Sequence, residues 1–432
     1  MWTAVKPSTG VGKYRRDSCN SPQHLRSSRC RNLGCYNPPR CVRTVAISGW
    51  VEVDVSSPQG VLQRTLAQVS RAVATKTTYP VLSNVLIDAE GETLKLAATN
   101  QEIGITSLIP AQVDAPGRVT VDARLLSEFV NTLPSEPVRL SMEPGRLTLK
   151  VKGAGADAEI NGIDAEEFPI LPRVDAGAFA ARVDPQVLRE MISQVEFAAA
   201  SDDSRPVLAG VLVRLEDARI TMAAADGFRL AVRDAELASP VPDRLDIIVP
   251  ARALRELARI IGDRTDPIEL TITPNRAQLV VQIGDTEFYS RLIDGTFPDF
   301  RQIVPRDFAT QLEVGRDEFL AAVRRAGFFA RDNNDVVRLS AKGSDDELAP
   351  GNLEVSATAA ERGSSQSHVP AAINGPEGEI AFNSRYLVDV LSILRTGRVM
   401  IGMNGANQAG VLRPIESETY TYVIMPMVIG AH

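Results

Sequence analysis

The chain has 432 residues, 44% of them hydrophobic and 23% charged, which marks a globular protein of more than one domain. No apolar run reaches membrane-spanning length, so no transmembrane helix is expected. The net charge of −7 conceals two unlike parts.

Residues 1–50 carry nine Lys/Arg against the single acid Asp17, a surplus of +8 that leaves −15 for the remainder. All four cysteines (Cys19, Cys30, Cys35, Cys41) and both tryptophans (Trp2, Trp50) also lie there. A body free of cysteine fits a reducing, cytoplasmic compartment and excludes thiolate chemistry. The cysteine spacings match no paired zinc pattern. "TGVGKY" lacks both the first Gly spacing and the Ser/Thr after Lys13 that a phosphate loop requires. Pro and Cys content fits a transit peptide poorly, and there is no secretory apolar stretch. Residues 1–50 are expected to be a basic, disordered extension, with folding from Val51.

The body repeats itself. "VLQRTLAQVSRAV" sets Val61, Leu62, Thr65, Leu66, Val69 and Val73 on one helical stripe. "YPVLSNVLI" (79–87) returns as "RPVLAGVLV" (205–213), and "LKLAATN" (94–100) as "ITMAAAD" (220–226). "VTVDARLLSEFVNTL" (119–133) returns as "IIVPARALRELARII" (247–261), a second amphipathic helix with Leu254, Leu257, Ala258 and Ile261 on one side. "VRLSMEPGRLTLKVKG" and "IELTITPNRAQLVVQIG" alternate around Pro-Gly and Pro-Asn turns and read as antiparallel hairpins. A weaker third copy runs through "DEFLAAVRRAGFFARDNNDVVRLSA", "LEVSATA", "EIAFNSRYLVDVLSILR" and "YTYVIMPM". "GSDDELAPGN" and "ERGSSQSH" read as surface loops. The fold class is therefore α+β, in three modules at 51–178, 179–308 and 309–432. Each module looks like a doubled β-α-β-β-β unit.

Opposite the apolar stripes the helices repeat polar, mostly basic residues: Arg64, Gln68 and Arg71 with Lys76 beyond; Arg252, Arg255 and Arg259; Arg324 and Arg325; Arg385 and Arg395. One such face alone is ordinary solvated surface. Its repetition within an acidic body points to an anionic partner, with phosphate backbone the obvious candidate. No aromatic stacking platform accompanies it, so base readout is not indicated.

Together with "AADGFRLAV", "IDGTFPDFRQIVP", "FNSRYLVDVL" and terminal "YVIMPM", the three-copy pattern resembles the bacterial DNA polymerase III beta subunit, the sliding-clamp family, over about residues 51–429. The resemblance implies three repeated DNA-clamp domains per chain. Two chains would form a head-to-tail homodimeric ring around double-stranded DNA, with helices lining the pore and antiparallel sheets outside. The implied partners are non-specifically bound duplex, the polymerase III alpha subunit, the clamp loader, and other polymerases and repair proteins carrying clamp-binding motifs. No membrane association, cofactor, metal or catalytic residue is implied.

Carried onto this chain, the peptide pocket falls on Leu208, Ala225, Gly227, Phe228, Arg229, Leu230, Pro298, Ile303, Asn383, Tyr386, Val423, Ile424, Met425, Pro426 and Met427. Leu208, Leu230 and Val423 read equally as core. Arg229 and Tyr386 read as polar heads in an apolar wall, able to fix a peptide. Phe228, Gln302 and Val428 replace the family's usual His, a basic residue and Arg, so the pocket is expected to be more apolar than is usual. DNA contacts fall on Arg64, Lys76 and Arg205, with Arg124 and Arg252 as secondary candidates; Asp202, Asp203 and Asp335 are expected nearby. The interface between copies falls on Ile160, Phe328 and Phe329, of which the adjacent phenylalanines read equally as core.

Two rivals remain open on the residues alone. A hydrolase could use Asp202 and Asp203 or the Asp226 of "ADG", yet the body has one interior histidine, His368, and no metal or phosphate motif. Asp-Gly at a strand end also serves turn geometry. A peptide-binding scaffold without DNA affinity would lack the basic stripe.

Overall fold

The structure, a computed structural model, describes residues 52–172, 181–202, 204–343 and 351–427, all within one unit, Trp50–His432. The basic extension, Asp203, Val428 and most of "GSDDELAPGN" lie outside the described residues.

A strand–helix–three-strand unit occurs twice in each module. The first module runs β1 (Val53–Pro58), α1 (Gln59–Val69), β2 (Asn84–Glu90), β3 (Thr93–Thr99) and β4 (Ile103–Pro110). An extra strand, β5 (Gln112–Ala115), precedes β6 (Gly117–Asp122), α2 (Ala123–Thr132), β7 (Pro137–Met142), β8 (Thr148–Gly153) and β9 (Ala156–Ile163). The second begins with β10 (Ala181–Val183), α3 (Pro185–Val195), β11 (Gly210–Glu216), β12 (Arg219–Ala225) and β13 (Arg229–Glu236). It ends with β14 (Leu245–Pro250), α4 (Ala251–Ile261), β15 (Ile268–Ile272), β16 (Gln278–Ile283) and β17 (Thr286–Arg291). The third begins with β18 (Thr310–Gly315), α5 (Arg316–Ala330), β19 (Val336–Lys342), β20 (Gly351–Ala359) and β21 (Gly363–Asn374). It closes with β22 (Gly378–Asn383), α6 (Ser384–Ile393), β23 (Arg398–Met403), β24 (Gly410–Pro414) and β25 (Tyr420–Ile424).

Each of these helices starts where a strand stops, and at α2, α3 and α6 a junction side chain caps the first turn. Asp122 accepts a hydrogen bond from the Leu125 amide (2.7 Å), and Asp184 accepts from Gln186 and Val187 (both 2.9 Å) ahead of Pro185. Asn383 does the same for Arg385 (2.9 Å). These caps satisfy amides that the first helical turn leaves unpaired. The helices bury the expected stripes, Leu62, Thr65, Leu66 and Val69 in α1 and Leu254, Leu257 and Ile261 in α4. Val73 lies beyond the end of α1.

The modules are joined edge to edge. β4 pairs antiparallel with β17, from Ser107 opposite Thr286 to Ile103 opposite Ser290. β13 pairs likewise with β25, from Arg229 opposite Ile424 to Arg233 opposite Tyr420. In both joints the last strand of one module's first half meets the last strand of the next module. The sheets thereby extend to thirteen and twelve strands. At the first joint Thr286 Oγ1 lies 3.2 Å from Ser107 Oγ and accepts from Gln68 Nε2 at 3.3 Å, so α1 is tied to the second module.

One sequence expectation fails here. "ERGSSQSH" is not a loop, because from Gly363 it forms the first half of β21. Its serines show little apolar alternation, since only one edge of that stretch is paired: residues 363–371 meet β20, and only 371–374 meet β18. Polar side chains suit an edge strand.

Candidate functional site

β12 ends at Ala225, and the chain reverses through Asp226, Gly227 and Phe228. Asp226 Oδ1 accepts from the amides of Phe228 (2.8 Å) and Arg229 (3.0 Å), so its carboxylate shapes the turn. Gly227 has φ +95°, and a Cβ there would stand 3.0 Å from Arg205 Nη1. Phe228 is left 59% exposed. Beside it the end of the chain leaves β25, where the Met425 amide donates to the Phe228 carbonyl (2.8 Å) and the Met427 amide to Ala381 (2.8 Å).

The two faces of the β13–β25 joint differ. On one face Leu230 and Val423, cross-strand partners, are buried with Leu212, Ala223, Val232, Ile248, Phe297, Phe300 and Val411. Leu208, Ala225, Ile293 and Val304 pack half-buried around them. Phe228, Ile303 (48% exposed) and Met425 (43%) stand exposed, as does Pro298, while Pro426 and Met427 are half-buried. A buried apolar floor with exposed apolar residues nearby suits an extended apolar segment. A cavity of about 1090 Å³ reaches Phe228 and Arg205 from one side. Another, of about 640 Å³, reaches Pro298, Phe297 and Phe300.

Two expected pocket residues belong to the other face. Ile424 is fully buried in the main core under the helices, because successive strand residues alternate sides. Arg229 also turns to the helices. Its Nε donates to Asp226 Oδ2 (3.0 Å), Nη1 to Asp389 Oδ2 of α6 (2.6 Å) and Nη2 to the Phe197 carbonyl (2.7 Å). The guanidinium lies 4.3 Å from the Tyr386 ring centroid and 5.3 Å from that of Phe197. Burial pulls its pKa down, but Tyr422, Asp389 and Asp226 outweigh that and leave it raised. Arg229 is thus a clasp between modules, not a free head for a ligand. Tyr386 is the wall of that clasp, and burial pushes its phenol upward. Asn383, expected in the pocket, caps α6. Gln302 donates back to Asp299 (2.9 Å).

Part of the basic stripe is neutralised. Arg255 pairs with Glu196 (2.5 Å), Arg259 with Glu256 (2.5 Å), Arg71 with that same Glu256 (3.4 Å), and Arg385 with Asp335 (2.9 Å). Arg124 pairs with Glu128 one turn on (2.8 Å). Arg205 donates to the Asp226 carbonyl (3.1 Å) and stands 3.9 Å from Asp202, whose carboxyl is held low first by the Ser204 hydroxyl. Arg64, Lys76 and Arg252 are exposed and make no ion pair among the described residues. Among the described residues Arg324 and Arg325 reach only the hydroxyls of Ser392 and Ser367.

Ile160 is buried in the core of the first module, so its side chain cannot meet a second copy. Its strand still has an open edge: β9 pairs along 156–161 with β8, and with β6 only at Gly162 and Ile163. Phe328 is 63% exposed beside Arg331, whereas Phe329 packs half-buried against the core. The linker residues Phe297, Phe300 and Val304 were missed in the sequence; the signal was the apolar spacing of "FPDFRQIV". Asp389 was missed too, since nothing in "YLVDVL" says what it faces. Among the described residues no group of His, Cys, Asp and Glu could hold a metal ion, and no helix is long and apolar enough to cross a membrane.

Three family models match the chain: the DNA polymerase III beta subunit N-terminal domain over residues 58–172, the central domain over 182–299 and the C-terminal domain over 301–428. The beta sliding clamp of Synechococcus elongatus is 36% identical over 373 residues, covering 85% of this chain and 97% of that protein. The Bacillus subtilis beta sliding clamp is 30% identical with the same coverage. Among solved structures, the Bacillus subtilis DNA polymerase sliding clamp superposes with a TM-score of 0.83 at 29% identity, covering 88% of this chain and all of that one. A Pseudomonas aeruginosa sliding clamp bound to griselimycin gives 0.79 at 27%, covering 87% of this chain and all of that one.

Proposed function

The chain belongs to the DNA polymerase III beta subunit family, the sliding clamps, and from that premise we propose that two copies close head to tail into a ring around duplex DNA. The observation that carries this is the repeated joint. β4 with β17 and β13 with β25 use equivalent strands of successive modules, and the next pair in that series is β21 with β9. Among the described residues, 363–370 of β21 and 156–161 of β9 each have one unpaired edge. Two copies related by a two-fold axis satisfy both edges and leave neither open. Phe328 flanks that seam.

The helices then face the duplex, with Arg64, Lys76 and Arg252 meeting phosphates and Arg205 and Arg124 contributing less because each has an internal partner. Phosphate contact without base contact permits sliding. The apolar groove beside Phe228 takes short motifs of the polymerase III alpha subunit, the clamp loader and other replication or repair proteins. Gain in synthesis comes from high effective concentration of the tethered polymerase, not from chemistry in this chain. The three clamp domains are 51–178, 179–308 and 309–432, and the protein works in the cytoplasm.

Sedimentation of the purified chain tests ring closure. The expected species has twice the 46.7 kDa chain mass. A species that stays monomeric at micromolar concentration counts against it.

A further inference from the structure

The geometry points to Asp389, on the helix layer, as a positioning residue for the groove: through Arg229 and Asp226 it holds the turn that presents Phe228. This rests on the groove reading above. Three hydrogen-bonded steps connect α6 to the edge of the groove. Asp389 Oδ2 accepts from Arg229 Nη1 (2.6 Å), Arg229 Nε donates to Asp226 Oδ2 (3.0 Å), and Asp226 Oδ1 accepts from the Phe228 amide (2.8 Å). The guanidinium has little freedom to find a substitute. Tyr386 and Phe197 lie against it, and the Phe197 carbonyl takes its remaining terminal nitrogen.

Loss of the Asp389 carboxylate leaves a buried cation short of one acceptor, and Asp226 is the remaining carboxylate in contact with it. Any shift of Asp226 toward the guanidinium moves the amides it organises, and Phe228 moves with them. Phe228 also hands its carbonyl to Met425, so both sides of the groove follow the same turn. Asp389 thus acts on a partner that it never touches.

The test measures affinity of the full chain for the purified polymerase III alpha subunit, in wild type, Asp389→Ala, Asp389→Glu, Phe228→Ala and the Asp389→Ala/Phe228→Ala double variant. Asp389→Ala is expected to weaken binding about three- to tenfold, a normal size for coupling through one network. Asp389→Glu restores most of it, and Asp389→Ala adds no further loss once Phe228 is already Ala. Unchanged affinity in Asp389→Ala overturns the inference. So does an equal loss in the Phe228→Ala background, because the effect then bypasses the turn. A wild-type chain that fails to bind the alpha subunit instead refutes the groove reading itself.

Discussion

Val423 and Ile424 are consecutive residues of β25, yet they belong to two different cores. Val423 faces Leu230 on the groove side, and Ile424 lies under the helices, paired through its backbone with Arg229. The terminal strand is therefore both a structural edge and the floor of a binding surface, with the change of role at Met425. A chain ending at Ile424 keeps both cores and loses the Met425–Phe228 and Met427–Ala381 backbone bonds. It is expected to fold, with a thermal midpoint within about 5 °C of wild type, a shift corresponding to roughly 1–2 kcal/mol. Its affinity for the alpha subunit is expected to disappear. Ile424→Ala does the reverse, costing about 2–4 kcal/mol of stability for a buried cavity. Calorimetry and a binding titration on the two proteins separate these outcomes, and intact affinity in the truncated chain contradicts the assignment.

Phe228 and Arg229 should also part company. Phe228→Ala removes an exposed side chain, so stability should stay within about 0.5 kcal/mol while alpha-subunit binding falls about tenfold or more. Arg229→Ala removes charged hydrogen bonds to Asp389, Asp226 and Phe197 and should cost about 2 kcal/mol. Denaturant melts of both variants check the contrast.

Neutralising the unpaired cations should flatten the salt dependence of DNA affinity. Removing the phosphate interaction of Arg64, Lys76 or Arg252 reduces the log–log slope by about one in each case. Arg255→Ala and Arg259→Ala should change it little, because Glu196 and Glu256 already hold those charges. Affinity for circular duplex, measured across a salt series, reads the difference.

Asp246 supplies a pH test. Arg214 grips it with two bonds of 2.8 Å across the β11–β14 pair, and Arg244 is a second partner. The hydrogen bonds from Arg214, partly opposed by burial, hold this carboxyl well below the ordinary range. A depressed folded-state pKa contributes stability above the unfolded value of about 3.9, and that contribution is lost as pH falls below it. The pair is partly exposed, so about 1 kcal/mol is expected. Asp246→Asn should destabilise at pH 7 and show a shallower loss below about pH 4 than wild type.

Much of this architecture is legible in the sequence because the repeats preserve their turns: "YPVLSN" and "RPVLAG" both form a short helical turn leading into β2 and β11. The "ADG" turn is legible for the same reason, since Asp and Gly there serve geometry. Three features are not. β21 hides because its serines lack apolar contrast along an edge. The side faced by Ile424 hides because "VIM" is apolar throughout, with no polar residue to mark which side is which. The neutralisation of Arg255 and Arg385 hides because Glu196 and Asp335 come from other elements, beyond the reach of any single helical stripe.

A ring holds DNA by topology, and one measurement addresses that directly: retention of loaded protein on nicked circular duplex, then after linearisation by a single cut. The chain is expected to stay on the circle through gel filtration at moderate salt and to run off the open ends once the DNA is cut. Equal release from both forms would contradict the ring.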